Sequence, residues 1–214
     1  MLATSPAPAE HLTIRPSILY FGTPVVLITT MSADGSANVS PMSSAWALGD
    51  RVVLGISSAA QGAENLRRTG ECVLNFPSPE LWQKVESIAR LTGRDPVPEQ
   101  KAKLGFEYEN DKFLRGGFTP LASEIVTPPR IADCPLQCEA KLMALHDSAQ
   151  AEVPAGPVPY LIAETRVVRV HAHHGIVVPG TSHIDTERWS PLLYVFRHYF
   201  GTGPDLGRNF RAEA

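Results

Sequence analysis

The reading of this chain turns on one stretch, Pro24 to Pro77: PVVLITTMSADGSANVSPMSSAWALGDRVVLGISSAAQGAENLRRTGECVLNFP. Val25 to Thr29 is a run rich in β-branched residues, the pattern of a strand covered on both faces. Ala33-Asp34-Gly35 supplies a turn, since glycine takes a positive φ at no steric cost. The next run, Ser36 to Trp46, is unusual. One alternating face carries Asn38, Ser40, Met42, Ser44 and Trp46, the other Val39, Pro41, Ser43 and Ala45, and neither is cleanly apolar. Pro41 removes a ladder donor, so this strand is expected at a sheet edge or at a bulge. Leu48-Gly49-Asp50 turns the chain, and Arg51 to Ile56 returns as an apolar strand. Ser57, Ser58, Gln61 and Gly62 lead into a short helix, Ala63 to Arg68, closed by Thr69-Gly70. Cys72 to Phe76 is a further strand.

Hydroxyls and amides thus stand where a plain structural strand would place apolar side chains. A helix N-terminus just after a strand, dressed with Ser57, Ser58 and Gln61, offers free N–H groups and the positive end of the helix dipole to an anion. The same serines serve equally as helix caps. Both readings stand at this point.

Outward from this stretch the patterns are plainer. Pro79 to Leu91 reads as an amphipathic helix with Leu81, Trp82, Val85, Ile88 and Ala89 on one stripe. Pro98 to Leu104 reads as a second short helix. Leu136 to Leu145 and Tyr160 to His171 read as long strands, with a loop from Ala149 to Pro159 between them. The expected fold is therefore mainly β with peripheral helices, in the form of a Greek-key barrel. The expected organisation is an arm over 1–20 and one domain over 21–214. The Ala/Pro-rich Met1 to Glu10 lacks the basic and apolar regions of a signal peptide.

Composition narrows the function classes. The chain has 214 residues, 43% of them hydrophobic, and a net charge of −3. There is no basic stripe on which nucleic acid could dock, and no apolar stretch long enough to cross a bilayer. Three cysteines, an odd number, suit a reducing cytoplasm. Cys134 and Cys138 lack the second pair that a zinc site needs. His171 and His173 share a strand face, read as solvated. His198 stands in the cluster Phe196-Arg197-His198-Tyr199-Phe200, either a packing element with a polar edge or a substrate-side group. Gly201-Thr202-Gly203-Pro204 has the wrong spacing for a dinucleotide fingerprint, and no P-loop or nucleophile elbow is present.

The ordered set Thr29-Thr30, Gly35, Asn38-Val39-Ser40-Pro41-Met42-Ser43, Asn65, Thr69-Gly70 and Cys72-Val73-Leu74-Asn75 resembles the flavin reductase-like family. Leu91-Thr92-Gly93-Arg94-Asp95, Lys103-Leu104-Gly105-Phe106, Lys112-Phe113, Pro129-Arg130-Ile131, His183-Ile184-Asp185, Arg188-Trp189 and Pro191 to Tyr199 follow in the family's order. The resemblance implies an FMN-binding split barrel, dimeric, with its flavin near the subunit interface. It implies NAD(P)H-dependent flavin reduction, in which the nicotinamide stacks on the isoalloxazine and hydride passes to its ring. An FMN-holding electron carrier without NAD(P)H activity uses the same site and is the alternative. A partner oxygenase or redox protein would take the electrons. The cofactor residues implied are Asn38, Ser40, Pro41, Met42, Ser43, Ser44, Ser57, Ser58, Gln61, Asn65 and Arg197, with His198 on the substrate side. One departure concerns the phosphate: many relatives carry a Thr three residues before the helix Asn, where this chain has Gly62. The phosphate contacts then pass to Ser57, Ser58, Gln61 and backbone N–H groups.

Overall fold

A computed structural model describes residues 11–147 and 160–207; the predicted arm segment Met1 to Glu10 and the whole loop predicted over Ala149 to Pro159 lie outside them. The first half of the chain runs β1 (Phe21–Pro24), β2 (Val26–Met31), β3 (Ala37–Met42), β4 (Ala45–Leu48), β5 (Arg51–Ser57), α1 (Gln61–Thr69) and β6 (Glu71–Phe76). Short elements follow: α2 (Trp82–Ser87), β7 (Leu91–Thr92), α3 (Glu99–Lys103), β8 (Glu107–Tyr108), α4 (Lys112–Gly116), β9 (Pro120–Leu121) and β10 (Arg130–Ile131). Two long strands, β11 (Leu136–Asp147) and β12 (Tyr160–Ala172), and a closing hairpin, β13 (Leu193–Val195) and β14 (His198–Phe200), complete the described fold.

The main sheet has seven strands in the order β3-β2-β6-β11-β12-β5-β4. Its two edges, β3 and β4, are consecutive in sequence and joined only by Ser43 and Ser44. If flat, six inter-strand steps would separate those edges by roughly 29 Å, whereas three Cα–Cα steps reach about 11 Å. The sheet must therefore curl until its edges meet. Ser44 carbonyl accepts from Gly55 N–H at 2.8 Å, while β3 and β4 do not pair with each other. The result is a barrel split between β3 and β4. The predicted single strand Ser36 to Trp46 is thus two strands on opposite sides of the split. Pro41 lies on an edge strand, as its missing donor requires.

Alternation along β2 explains why both faces of the sheet are dry. Val26 and Ile28 point into the barrel core with Leu54, Ile56, Leu66, Leu74, Ala140 and Leu161. Val25 and Leu27 point the other way, into a second core with Val39, Val85, Ile88, Phe113, Ile131 and Leu192. The predicted helix over Pro79 to Leu91 is shorter than the stripe implied. After Ser87 the chain turns, and Leu91 and Thr92 pair in parallel with Glu107 and Tyr108. Val85 and Ile88 are buried, and Trp82 is exposed.

Of the two histidines read as solvated, His173 lies just past β12 and is exposed, whereas His171 is drawn inward. His171 donates Nε2–H to Glu139 Oε1 at 2.6 Å, and Glu139 is fully buried. Burial pushes the Glu139 carboxyl up, but the amides of Glu124, Ile125 and Val126 together with His171 outweigh it and hold the pKa down to about 2. His173 donates to the Ala132 carbonyl at 2.9 Å. Cys72, Cys134 and Cys138 are free and buried, and among the described residues no three or more His, Cys, Asp or Glu gather to hold a metal. No helix among them is long and apolar enough to cross a membrane.

Candidate functional site

A cavity of about 200 Å³ opens where the end of β5, the start of α1 and the edge strand β3 meet α3, α4 and β7. Ser40, Pro41, Met42, Gly55, Ser57, Gln61, Thr92, Lys101 and Lys112 are among its lining residues. Five of these, Ser40, Pro41, Met42, Ser57 and Gln61, were expected from sequence.

The capping reading of the serines fails. The N-cap of α1 is Ala60, and no side chain caps it. Helix geometry leaves the earliest amides of a helix without intrahelical partners; Ala63 N–H reaches the Ala60 carbonyl at 3.1 Å, and Ala60 and Gln61, at the start of α1, line the cavity with Ser57. The Ser57 hydroxyl is buried with no partner. A buried polar group without a hydrogen bond costs about 1–3 kcal/mol, so this one calls for a ligand.

The decisive group was not anticipated as a site residue. Lys112 is only 2% exposed. Its ammonium donates to Asn38 Oδ1 and to the Val39 carbonyl, each at 2.9 Å, and it makes no ion pair among the described residues. Burial, then the nearby Lys101, pull its pKa down from 10.5 to about 7. Lys101 is also lowered, first by burial and then by Arg94; its ammonium lies 3.5 Å from Thr92 Oγ1 and 5.3 Å from the centre of the Phe106 ring. Arg94 is committed to Glu64. The cavity is thus lined by two lysines that form no ion pair among the described residues, with Glu109 acting on Lys112 only as a weaker charge, beside the start of α1. That set fits a phosphate dianion.

Asn38 organises this wall. Its amide donates to Ser40 Oγ at 3.1 Å while its oxygen serves Lys112. Gly93 is required beside it, since a Cβ there would lie 2.7 Å from Asn38 Oδ1. Gly62 has an equally specific reason. A Cβ at that position would meet Ser40 Oγ at 3.1 Å, so Ser40 occupies the space a threonine side chain would need. Asn65 stands behind the wall: it donates to Thr30 and Ser32 hydroxyls and accepts from Gln61 Nε2 at 2.9 Å. It positions Gln61 and does not line the cavity.

The other expected residues lie elsewhere. Ser43 and Ser44 form the crossing between the barrel edges, and Ser44 Oγ shares a 2.9 Å hydrogen bond with Tyr20. Ser58 does not line the cavity. Arg197 and His198 open onto a separate cavity with Trp82, Tyr199 and Phe200, so within one protomer they do not join Ser57 and Lys112. Tyr20 links the Ser43–Ser44 crossing to the closing hairpin. Its carbonyl accepts from Phe196 N–H at 2.7 Å and its ring packs edge-on against Tyr194 at 5.4 Å.

The flavin reductase-like domain matches residues 18–203. The chain belongs to that family. At the family level it is a flavin-binding oxidoreductase with the FMN-binding split-barrel fold. It is 42% identical over 200 residues to the uncharacterized protein YdfE of Bacillus subtilis, covering 94% of this chain and 93% of that one. Flavoredoxin of Desulfovibrio vulgaris (Miyazaki F) has the same fold, with a TM-score of 0.73 at 19% identity over 95% of this chain and 98% of that one. So does nitrilotriacetate monooxygenase component B from Bacillus cereus, at 0.71 and 17% over 94% and 100%.

Proposed function

We propose that this chain binds FMN and reduces it with NAD(P)H, as a homodimer that hands its electrons to a separate acceptor. One observation carries the cofactor reading: the buried Lys112 ammonium lines the cavity at the α1 N-terminus without a carboxylate partner. A buried cation left unpaired is costly, and a phosphate dianion would neutralise it. In this reading Lys112, Lys101, the Ser57 hydroxyl and the first amides of α1 hold the phosphate. Ser40, Pro41, Met42 and Gly55 wall the chain that leads from it. Gln61, held by Asn65, closes the other side. When bound, FMN supplies the hydride-accepting ring, and the protein supplies binding, orientation and electrostatics.

Flavin reduction by a nicotinamide needs no protein acid or base, so the reading does not require a catalytic dyad. The likeness to nitrilotriacetate monooxygenase component B supports an oxygenase as the acceptor, and the likeness to flavoredoxin supports a redox protein. Both are likenesses of fold. The two activities separate in one experiment. The FMN-loaded protein is mixed anaerobically with NADH or NADPH and its flavin absorbance followed. Bleaching within seconds supports the reductase. Absorbance unmoved by either nicotinamide, yet bleached by a chemical reductant, would replace it with an electron carrier.

A further inference from the structure

The second cavity, about 310 Å³, is built by the end of the closing hairpin and the start of α2. Trp82, Tyr199 and Phe200 supply aromatic walls, Pro79 and Leu192 an apolar floor, and Arg197 and His198 a polar rim. Tyr199 is fixed in place. Its ring makes tilted contacts with Trp82, 6.2 Å away, and Tyr194, 5.6 Å away, and its hydroxyl donates to Glu86 Oε2 at 2.9 Å. Gly201 lets the floor close, since a Cβ there would lie 2.9 Å from Pro79 Cγ.

Arg197 is presented at a cost. Val195 and His198 pair across a two-residue turn, and both central residues have positive φ, 42° at Phe196 and 73° at Arg197. Such a turn ordinarily takes Asn-Gly. Neither residue here is glycine, and strain of this kind gathers at binding and catalytic sites. The guanidinium held there forms no ion pair among the described residues. Its nearest polar partner is Ser17 Oγ at 3.5 Å.

We propose that this cavity is a binding site for a single-ring aromatic carboxylate. The ring lies among Trp82, Tyr199 and Phe200, and the carboxylate is held by Arg197, whose planar fork matches it. The volume admits one ring and its substituents; small-molecule sites run from about 300 to 1,000 Å³, so this one stands at the low end. Its lining shares no residue with the phosphate cavity, so the proposal does not rest on the flavin reading.

Benzoate is the probe, followed by calorimetry and by quenching of tryptophan fluorescence, with Trp82→Phe to assign the quenching. Benzoate is expected to bind at least tenfold more tightly than benzamide, which lacks the charge, and than cyclohexanecarboxylate, which lacks the aromatic face. Arg197→Gln is expected to weaken benzoate about tenfold or more. Arg197→Gly relieves the backbone and is expected to raise the melting temperature while abolishing binding; a purely structural arginine would not move the two in opposite directions. Equal affinity for benzoate and benzamide, tighter binding of AMP than of benzoate, or loss of benzoate binding on FMN loading would each overturn the proposal.

Discussion

Lys112, on α4, donates its buried ammonium to Asn38 Oδ1, on the barrel's edge strand, at 2.9 Å. This contact ties a peripheral helix to the rim of the split and brings a positive charge into the cavity that the start of α1 also lines. A neutral side chain of similar length cannot replace it. Lys112→Met is expected to weaken FMN by about 10- to 100-fold, the worth of roughly 1.5–3 kcal/mol for a hydrogen bond to a charged group. Riboflavin, which lacks the phosphate, should bind the variant as it binds the parent. Calorimetric titration with both ligands checks this.

The same lysine sets a pH dependence. Burial and Lys101 lower its pKa to about 7 in the folded chain, with Glu109 pulling weakly the other way. A bound phosphate favours the charged form, so binding above pH 7 must take up a proton. FMN affinity is therefore expected to fall as pH rises from about 7 to 9, and riboflavin affinity to stay level. Without ligand the sign reverses for stability. The folded chain sheds this proton before the unfolded chain does, so between about pH 7 and 10 the lysine's contribution rises with pH. Titrations in buffers of different ionisation enthalpy count the proton.

Ser57 gives a prediction in which stability and binding part company. Its hydroxyl is buried and unpartnered, so Ser57→Ala removes a desolvation cost from the ligand-free protein. Thermal unfolding should show the variant as stable as the parent or more so, while FMN binds more weakly by roughly tenfold. A variant that loses stability and affinity together would make Ser57 a residue of the fold alone.

Much of this was legible in the sequence, and the reasons are local. β2, β5 and β6 followed from β-branched runs between turn residues, and the edge position of β3 followed from Pro41. The break at Ser43 and Ser44 was not legible, because it is imposed by closure of a seven-stranded sheet and not by those residues. Lys112 was missed for a similar reason. In sequence its one signal is that Lys112-Phe113 stands in the family's order, which gives the lysine no role. Only the packing of α4 on β3 buries it, and Gly93 beside Asn38 makes the room. His198 was expected on the substrate side because its segment matches the family's closing motif; within one protomer the hairpin places it on another cavity than Ser57.

Glu139 anchors the fold away from the site. Its carboxyl is held at about 2 by three amides and His171, well below its ordinary value. The stability it contributes is complete above the ordinary carboxylate range and is lost as pH falls from about 4.5 toward 2. Glu139→Gln should cost about 1.5–3 kcal/mol at pH 7, the worth of hydrogen bonds to a charged group, and should flatten the acid limb of the stability profile. Urea melts at stepped pH measure both.

The account's central claim is that the cavity between α1 and Lys112 takes a phosphate that belongs to a flavin. Calorimetry of the flavin-stripped wild-type protein with FMN and with riboflavin tests it most directly. The account predicts that FMN binds at least tenfold more tightly than riboflavin, and that inorganic phosphate weakens FMN but leaves riboflavin untouched. Equal affinity for the two flavins, or no heat from either, would contradict it.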